Sequence, residues 1–349
     1  RMWSDVFRDD PLSNEGTETG EGSLMSYMPS HLLLCVSVFL FAFVYQGKAY
    51  DPLETFESIE TLDRTIKDKS RERSIPLRFY FPEGKTNSPV ILFSHGLGGS
   101  RNGCSYLGKH WAGRGYVAVF MQHVGSDESV WKDVGPLRRM FALKKAASSK
   151  NFMLRVKDVS AVLDQLENLN QKSDSPLSGK LDLSRVGMSG HSFGALTTQA
   201  VSGEKIPLLA SVTEPRIKAA IPLSPSSRKM ISPDEAFGEV SVPWLLMTGT
   251  HDLVSIGGQT IDSRLAVFPA LPKGNHYELV LNKAEHSVFD DKASLRDKLP
   301  RNPNHHRVIL GLSTAFWDAY LRNDAEARSW LNGDSPRNIM EKQDRWQKK

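Results

Sequence analysis

Gly190-His191-Ser192-Phe193-Gly194 sets a serine between two glycines, directly behind the apolar run Val186-Gly187-Met188. A strand that runs into G-x-S-x-G and then into a helix must turn so tightly that the flanking residues are small. The serine hydroxyl is then pushed out above the sheet. The spacing predicts a helix from about Ala195 to Val201, with its positive end toward that hydroxyl. Taken alone, the pentapeptide also fits an ordinary strand-to-helix loop, so the rest of the chain decides.

A serine hydroxyl is a weak nucleophile at neutral pH. It needs a histidine base, and that histidine needs a carboxylate to fix its tautomer and stabilise the imidazolium. On this kind of elbow the chain order is Ser, then Asp or Glu, then His. The apolar run Val242 to Thr248 reads as a buried parallel strand ending in Gly249-Thr250-His251-Asp252. Asp252 therefore falls at a strand's carboxyl end, the edge where chemistry collects in open α/β sheets. The next strand, Tyr277 to Leu281, leads to Ala284-Glu285-His286, which puts His286 at the same edge. Glu285 and Asp234 compete for the acid role. Glu285 adjoins His286, and sequence neighbours seldom reach each other's ring nitrogens. Asp234 lies in a Pro- and Ser-rich loop after Ala219 to Leu223. Asp252 is the preferred acid and His286 the preferred base. His251 reads as pocket wall, His123 as a satisfied structural residue, and His305 and His306 as solvated or capping residues.

A second strand-to-glycine turn supplies the remaining element. Pro89 to Ser94 reads as a buried strand stopping at His95-Gly96-Leu97-Gly98-Gly99. A bend there can aim a backbone N–H at the elbow, which makes the amides of Leu97 and Phe193 the expected oxyanion donors.

Together these residues resemble the α/β-hydrolase superfamily. Phe93-Ser94-His95-Gly96-Leu97-Gly98-Gly99 and the elbow are most similar to the platelet-activating-factor acetylhydrolase and dienelactone-hydrolase-like esterases, over about Ile75 to Tyr320. The resemblance implies a serine mechanism on carboxylic esters, with no metal or organic cofactor. Two departures stand out. Dienelactone hydrolases carry cysteine at the elbow, where this chain has Ser192. Plasma-type acetylhydrolases place the acid after the strand next to the elbow helix, where this chain has Ile221-Pro222-Leu223-Ser224-Pro225.

Strand-like and helix-like segments alternate from residue 75 to 320, as expected for a mostly parallel sheet with helices on both faces. Val156 to Leu169 has helical apolar spacing, and a last helix is expected over about His306 to Arg322. At 349 residues and 40% hydrophobic content the chain can bury a large core, and residues 50–349 read as a single catalytic domain. Residues 1–24 are acidic and polar and read as an upstream or non-native stretch. Residues 25–49 read as a signal peptide, with an apolar run from Leu32 to Tyr45 and cleavage after Ala49. Fourteen residues are short for a membrane span, which needs about 20. Export is expected, with an anchor at residues 32–45 as the alternative. Removal of Cys35 with that leader leaves Cys104, expected as a small buried helix residue.

The net charge of +4 is spread along the chain without basic–aromatic clusters, which argues against nucleic acid. No metal-ligand signature such as H-E-x-x-H is present. The expected substrate is a small-molecule or lipid ester with a short acyl group, and oligomeric state is open. Trp131 and Val288 are candidate substrate contacts. Residues 124–150, with Trp131, Met140 and Phe141, fit either a cap over the cleft or a surface excursion. A lipase or polyesterase is the main alternative, ahead of a peptidase or a non-catalytic binding module.

Overall fold

The computed structural model describes residues 49–349; the expectations for residues 1–24 and, but for Ala49, for the leader over 25–49 lie outside the described residues. Nine strands form one sheet: β1 (Ile59–Asp68), β2 (Arg73–Pro82), β3 (Ser88–Ser94), β4 (Val117–Met121), β5 (Leu181–His191), β6 (Ile217–Leu223), β7 (Trp244–His251), β8 (His276–Glu285) and β9 (Arg345–Lys348). Their order across the sheet is β1-β2-β4-β3-β5-β6-β7-β8-β9. The six from β4 to β8 in that order run parallel, while β1, β2 and β9 add antiparallel margins. This is the α/β-hydrolase architecture expected from the sequence.

Among the described residues nine α-helices cover the sheet: α1 (Ser105–Gly113), α2 (Pro136–Ala146), α3 (Ser149–Gln171), α4 (Phe193–Val201), α5 (Pro233–Phe237), α6 (Ile261–Leu265), α7 (Val267–Ala270), α8 (Asn304–Leu321) and α9 (Ala325–Asn332). Side chains alternate between sheet faces with period two, and the burial follows that alternation. Ile91 and Phe93 of β3 pack with Leu107 and Trp111 of α1 and with Leu312, Phe316 and Trp317 of α8. Val90 and Leu92 point the other way, onto Val156, Val159, Leu163 and Leu166 of α3. Those α3 residues recur every three or four positions, so one helical stripe is buried; Ser148 caps the helix by accepting from the Asn151 amide. In β7, Leu245 and Met247 join the α8 side, while Trp244 and Leu246 join α5 and α7.

The described residues form one compact unit. Its first turn is tied to α8 through Asp318, which accepts hydrogen bonds from the Tyr50 and Tyr116 hydroxyls at 2.7 and 2.6 Å and pairs with Arg114 at 2.6 Å. No helix among the described residues is long and apolar enough to cross a membrane.

Because β3, β5, β6, β7 and β8 are parallel, their carboxyl ends share one edge. The Gly-rich turn, the elbow, Ser224, Asp252 and His286 leave from those ends and converge there.

Candidate active site

Ser192 stands between β5 and α4 with φ 58° and ψ −111°, a left-handed-side conformation that a non-glycine residue holds only when its surroundings impose it. The flanking glycines are steric necessities. A Cβ on Gly194 would lie 1.8 Å from the Ser94 carbonyl oxygen, and one on Gly190 would lie 2.5 Å from the Gly194 oxygen. The elbow closes only because both positions lack a side chain.

That backbone brings the hydroxyl to His286. Ser192 Oγ lies 2.9 Å from His286 Nε2, and His286 Nδ1 donates to Asp252 Oδ1 at 2.5 Å. Asp252 is fully buried and is held by four neighbours. Its Oδ2 accepts from Ser224 Oγ at 2.6 Å and from Thr248 Oγ1 at 2.8 Å. Arg264 lies 3.1 Å from Oδ1 and donates its Nε to the Asp252 carbonyl at 2.8 Å. Burial alone would raise the Asp252 pKa; His286, Arg264 and Ser224 more than offset it, so the group stays well below the usual carboxylate range. Burial pulls His286 below 6.5, against the opposing pull of Asp252, with His191 and Arg264 adding to the fall. The imidazole is therefore neutral at pH 7, with its Nε2 lone pair toward the serine.

The other carboxylates do not reach the ring. Glu285 accepts from the backbone amides of Lys298 and Leu299, and Asp234 lies exposed on α5. His251 is exposed on the cleft wall. Ser224 and Arg264 were not singled out from the sequence. Ser224 follows the end of β6, and Arg264 arrives from α6, a helix of five residues with no periodic signal.

The Gly-rich turn lies over Ser192: a Cβ on Gly96 would meet Ser192 Cβ at 3.4 Å. Among the described residues, neither the Leu97 nor the Phe193 N–H is engaged by a protein acceptor, and both residues border the space beside Ser192. The Gly96 carbonyl accepts from His95 Nδ1 at 2.6 Å and Arg155 at 3.3 Å. In a trans peptide C=O and N–H point opposite ways, so anchoring that oxygen inward turns the Leu97 N–H outward. Arg155, fully buried on α3, also donates to the His95 carbonyl at 2.6 Å and sits 4.5 Å over the Phe193 ring.

Behind this turn lies a second serine–histidine–aspartate chain. Ser94 Oγ is 2.9 Å from His123 Nε2, and His123 Nδ1 donates to Asp158 at 2.9 Å. All three are fully buried, and Arg71 and Arg73 neutralise Asp158. Burial, only partly opposed by Asp158, pulls His123 down to about 4. This cluster is structural, as expected of His123.

Several expectations are corrected. Val288 is buried in the α8-side core, away from the cleft. Trp131 borders the turn from behind, donating its indole N–H to the Gly98 carbonyl at 2.7 Å. Cys104 is buried, but it precedes α1 in a left-handed conformation with φ 57°. His305 is buried, and His306 stacks on Tyr106 with centroids 3.9 Å apart, because α8 starts at Asn304 and packs them inward. The 124–150 segment flanks the cleft: Leu143 borders one side, while Leu137 and Phe141 of α2 face solvent.

Two spaces meet at Ser192. A narrow one of about 220 Å3 is bounded by Phe152, Phe193, Leu196 and Arg228. An open one of about 810 Å3 is bounded by Leu143, Leu253, Leu299 and His286. A larger groove between β1 and α3 lies away from the serine.

The fold and this geometry define an α/β-hydrolase of the serine-esterase type. Comparison with known families agrees: residues 144–299, which contain Ser192, Asp252 and His286, match the PET hydrolase-like family. Residues 69–134, which contain the Gly-rich turn, match platelet-activating factor acetylhydrolase, isoform II. Both matched families are carboxylic ester hydrolases, and the chain is accordingly a carboxylic ester hydrolase.

Proposed function

We propose that the protein hydrolyses short-chain acyl or acetyl esters through a covalent acyl-enzyme. His286 takes the Ser192 proton as Oγ attacks the ester carbonyl. The Leu97 and Phe193 amides hold the oxyanion, and His286 returns the proton to the leaving alcohol. Water then adds to the acyl-enzyme, deprotonated by the same ring, and releases the acid and free Ser192. Asp252 stays ionised throughout. The continuous Ser192–His286–Asp252 hydrogen-bond chain carries this reading. The narrow space beside Ser192, about 220 Å3, favours a short acyl group.

A polyesterase acting on longer or polymeric esters is the second reading. It is favoured by the open apolar-sided cleft and by the PET hydrolase-like match over the three site residues. Hydrolysis of p-nitrophenyl esters from acetate to palmitate, with Ser192→Ala as blank, separates the two. A peak at acetate or butyrate supports the first reading, and a peak at long chains the second. We also propose export through residues 25–49, tested by N-terminal sequencing of the secreted protein. A start at Tyr50 supports cleavage, and retention of residues 32–45 supports an anchor.

A further inference from the structure

We propose that Cys104, His191 and Asp290 form a three-ligand site for a thiophilic divalent cation, zinc or a close analogue, on the wall of the cleft that holds Ser192. The three side chains come from separate elements: the residue before α1, the last residue of β5, and the residue after the His286–Phe289 turn. Their ligand atoms all lie within 4.8 Å of one another. His191 Nδ1 is 3.5 Å from Asp290 Oδ1, and Cys104 Sγ is 3.7 Å from the same oxygen. A tetrahedral zinc with ordinary bonds to sulfur, nitrogen and oxygen has ligand–ligand edges of about 3.3–3.6 Å. Two of the three edges are close to that spacing already, and the third is within 4.8 Å.

The hydrogen bonding orients the ligand atoms toward one another. His191 Nε2 faces the His286 carbonyl at 3.1 Å, and a carbonyl only accepts, so Nε2 carries the ring proton. The other ring nitrogen, Nδ1, then faces the Asp290 carboxylate, on which the Cys104 sulfur also converges. A ligating histidine whose other nitrogen donates to a carbonyl is the usual arrangement around a metal. Other groups fix the remaining ligands. Arg301 donates to the Asp290 carbonyl at 2.8 Å, leaving its carboxylate free of that guanidinium, and Asp291 accepts from the Ser105 and Tyr106 amides. The Tyr106 hydroxyl is buried without a hydrogen-bond partner. Metal binding replaces the thiol proton by a metal–sulfur bond and releases one H+. Asp290 is half-exposed, and all three residues border the open cleft, which gives the ion a path in.

The test is a cadmium titration of the full chain carrying Cys35→Ser, which leaves Cys104 as its single cysteine. The ultraviolet cadmium–thiolate charge-transfer band is followed, and zinc is then added as competitor. We expect the band to saturate at one equivalent and to be displaced by zinc. It should vanish on Cys104→Ser, and Asp290→Asn should weaken affinity by about tenfold or more. Matching metal-free circular dichroism spectra would show that the variants fold. Absence of the band in the parent protein, or a band indifferent to Asp290→Asn, overturns the site. Because the readout needs no turnover, its failure is distinct from failure of the esterase reading.

Discussion

Ser94–His123–Asp158 and Ser192–His286–Asp252 have the same residue types and similar distances, yet only one opens on a cleft. The difference is access. Ser94 Oγ is sealed beneath the elbow, whereas Ser192 Oγ opens on the cleft. Electrostatics sets the His286 protonation state as well. His286 is held below 6.5 chiefly by burial, with Arg264 contributing, and it must be neutral to accept the Ser192 proton. Protonation at low pH removes the base, so the acid limb of kcat/KM should have its midpoint below pH 6.5. Removing the nearby cation by Arg264→Gln should raise the His286 pKa and move that limb to higher pH. A pH–rate profile of both proteins checks the sign.

At the scale of elements, α3 reaches the chemistry through Arg155. This guanidinium is bonded to the carbonyls of His95 and Gly96 and lies against Phe193, so it touches the residues around both expected oxyanion donors. Loss of one oxyanion donor typically costs about 2.7–4 kcal/mol of transition-state stabilisation. Arg155→Met tilts the Leu97 peptide without deleting its N–H, so we expect a smaller loss. A fall in kcat of about 10- to 100-fold, with little change in KM, should appear in steady-state kinetics on a p-nitrophenyl ester. Arg155 was not legible in the sequence because it is one cation inside an amphipathic pattern, and only the fold brings its head group to a loop sixty residues earlier. The strands carrying the site residues were legible because runs such as Pro89 to Ser94 and Trp244 to Thr248 are buried on both faces and nearly continuously apolar. Strand β9, Arg-Trp-Gln-Lys, was not. It is a charged edge strand, held by the Arg345–Glu278 pair and by Trp346 stacked on Tyr277.

For the whole molecule, the parallel sheet aligns the carboxyl ends of five strands, and that alignment made Asp252 and His286 readable from strand ends alone. What the strand pattern could not show is how the flanks are closed. Asp318 gathers Tyr50, Arg114, Tyr116 and Arg322 into a buried cluster linking the first described turn, the strand β4 entry and α8. Breaking a buried ion pair by removing one partner typically costs about 3–5 kcal/mol. Asp318→Asn should lose stability of that order in urea unfolding. The fold's remaining activity at low denaturant should be unaffected per folded molecule, since the cluster lies away from the cleft.

The most direct measurement is labelling by an organophosphate ester-hydrolase inhibitor, with the adduct mapped by mass spectrometry in the wild type, Ser192→Ala and Ser94→Ala. The expected result is one adduct on Ser192 and a parallel loss of ester hydrolysis. Labelling should be absent in Ser192→Ala, with turnover down by about 10^4-fold or more, and preserved in Ser94→Ala. An adduct on another residue, or undiminished hydrolysis by folded Ser192→Ala, would contradict the assignment of Ser192 as the nucleophile.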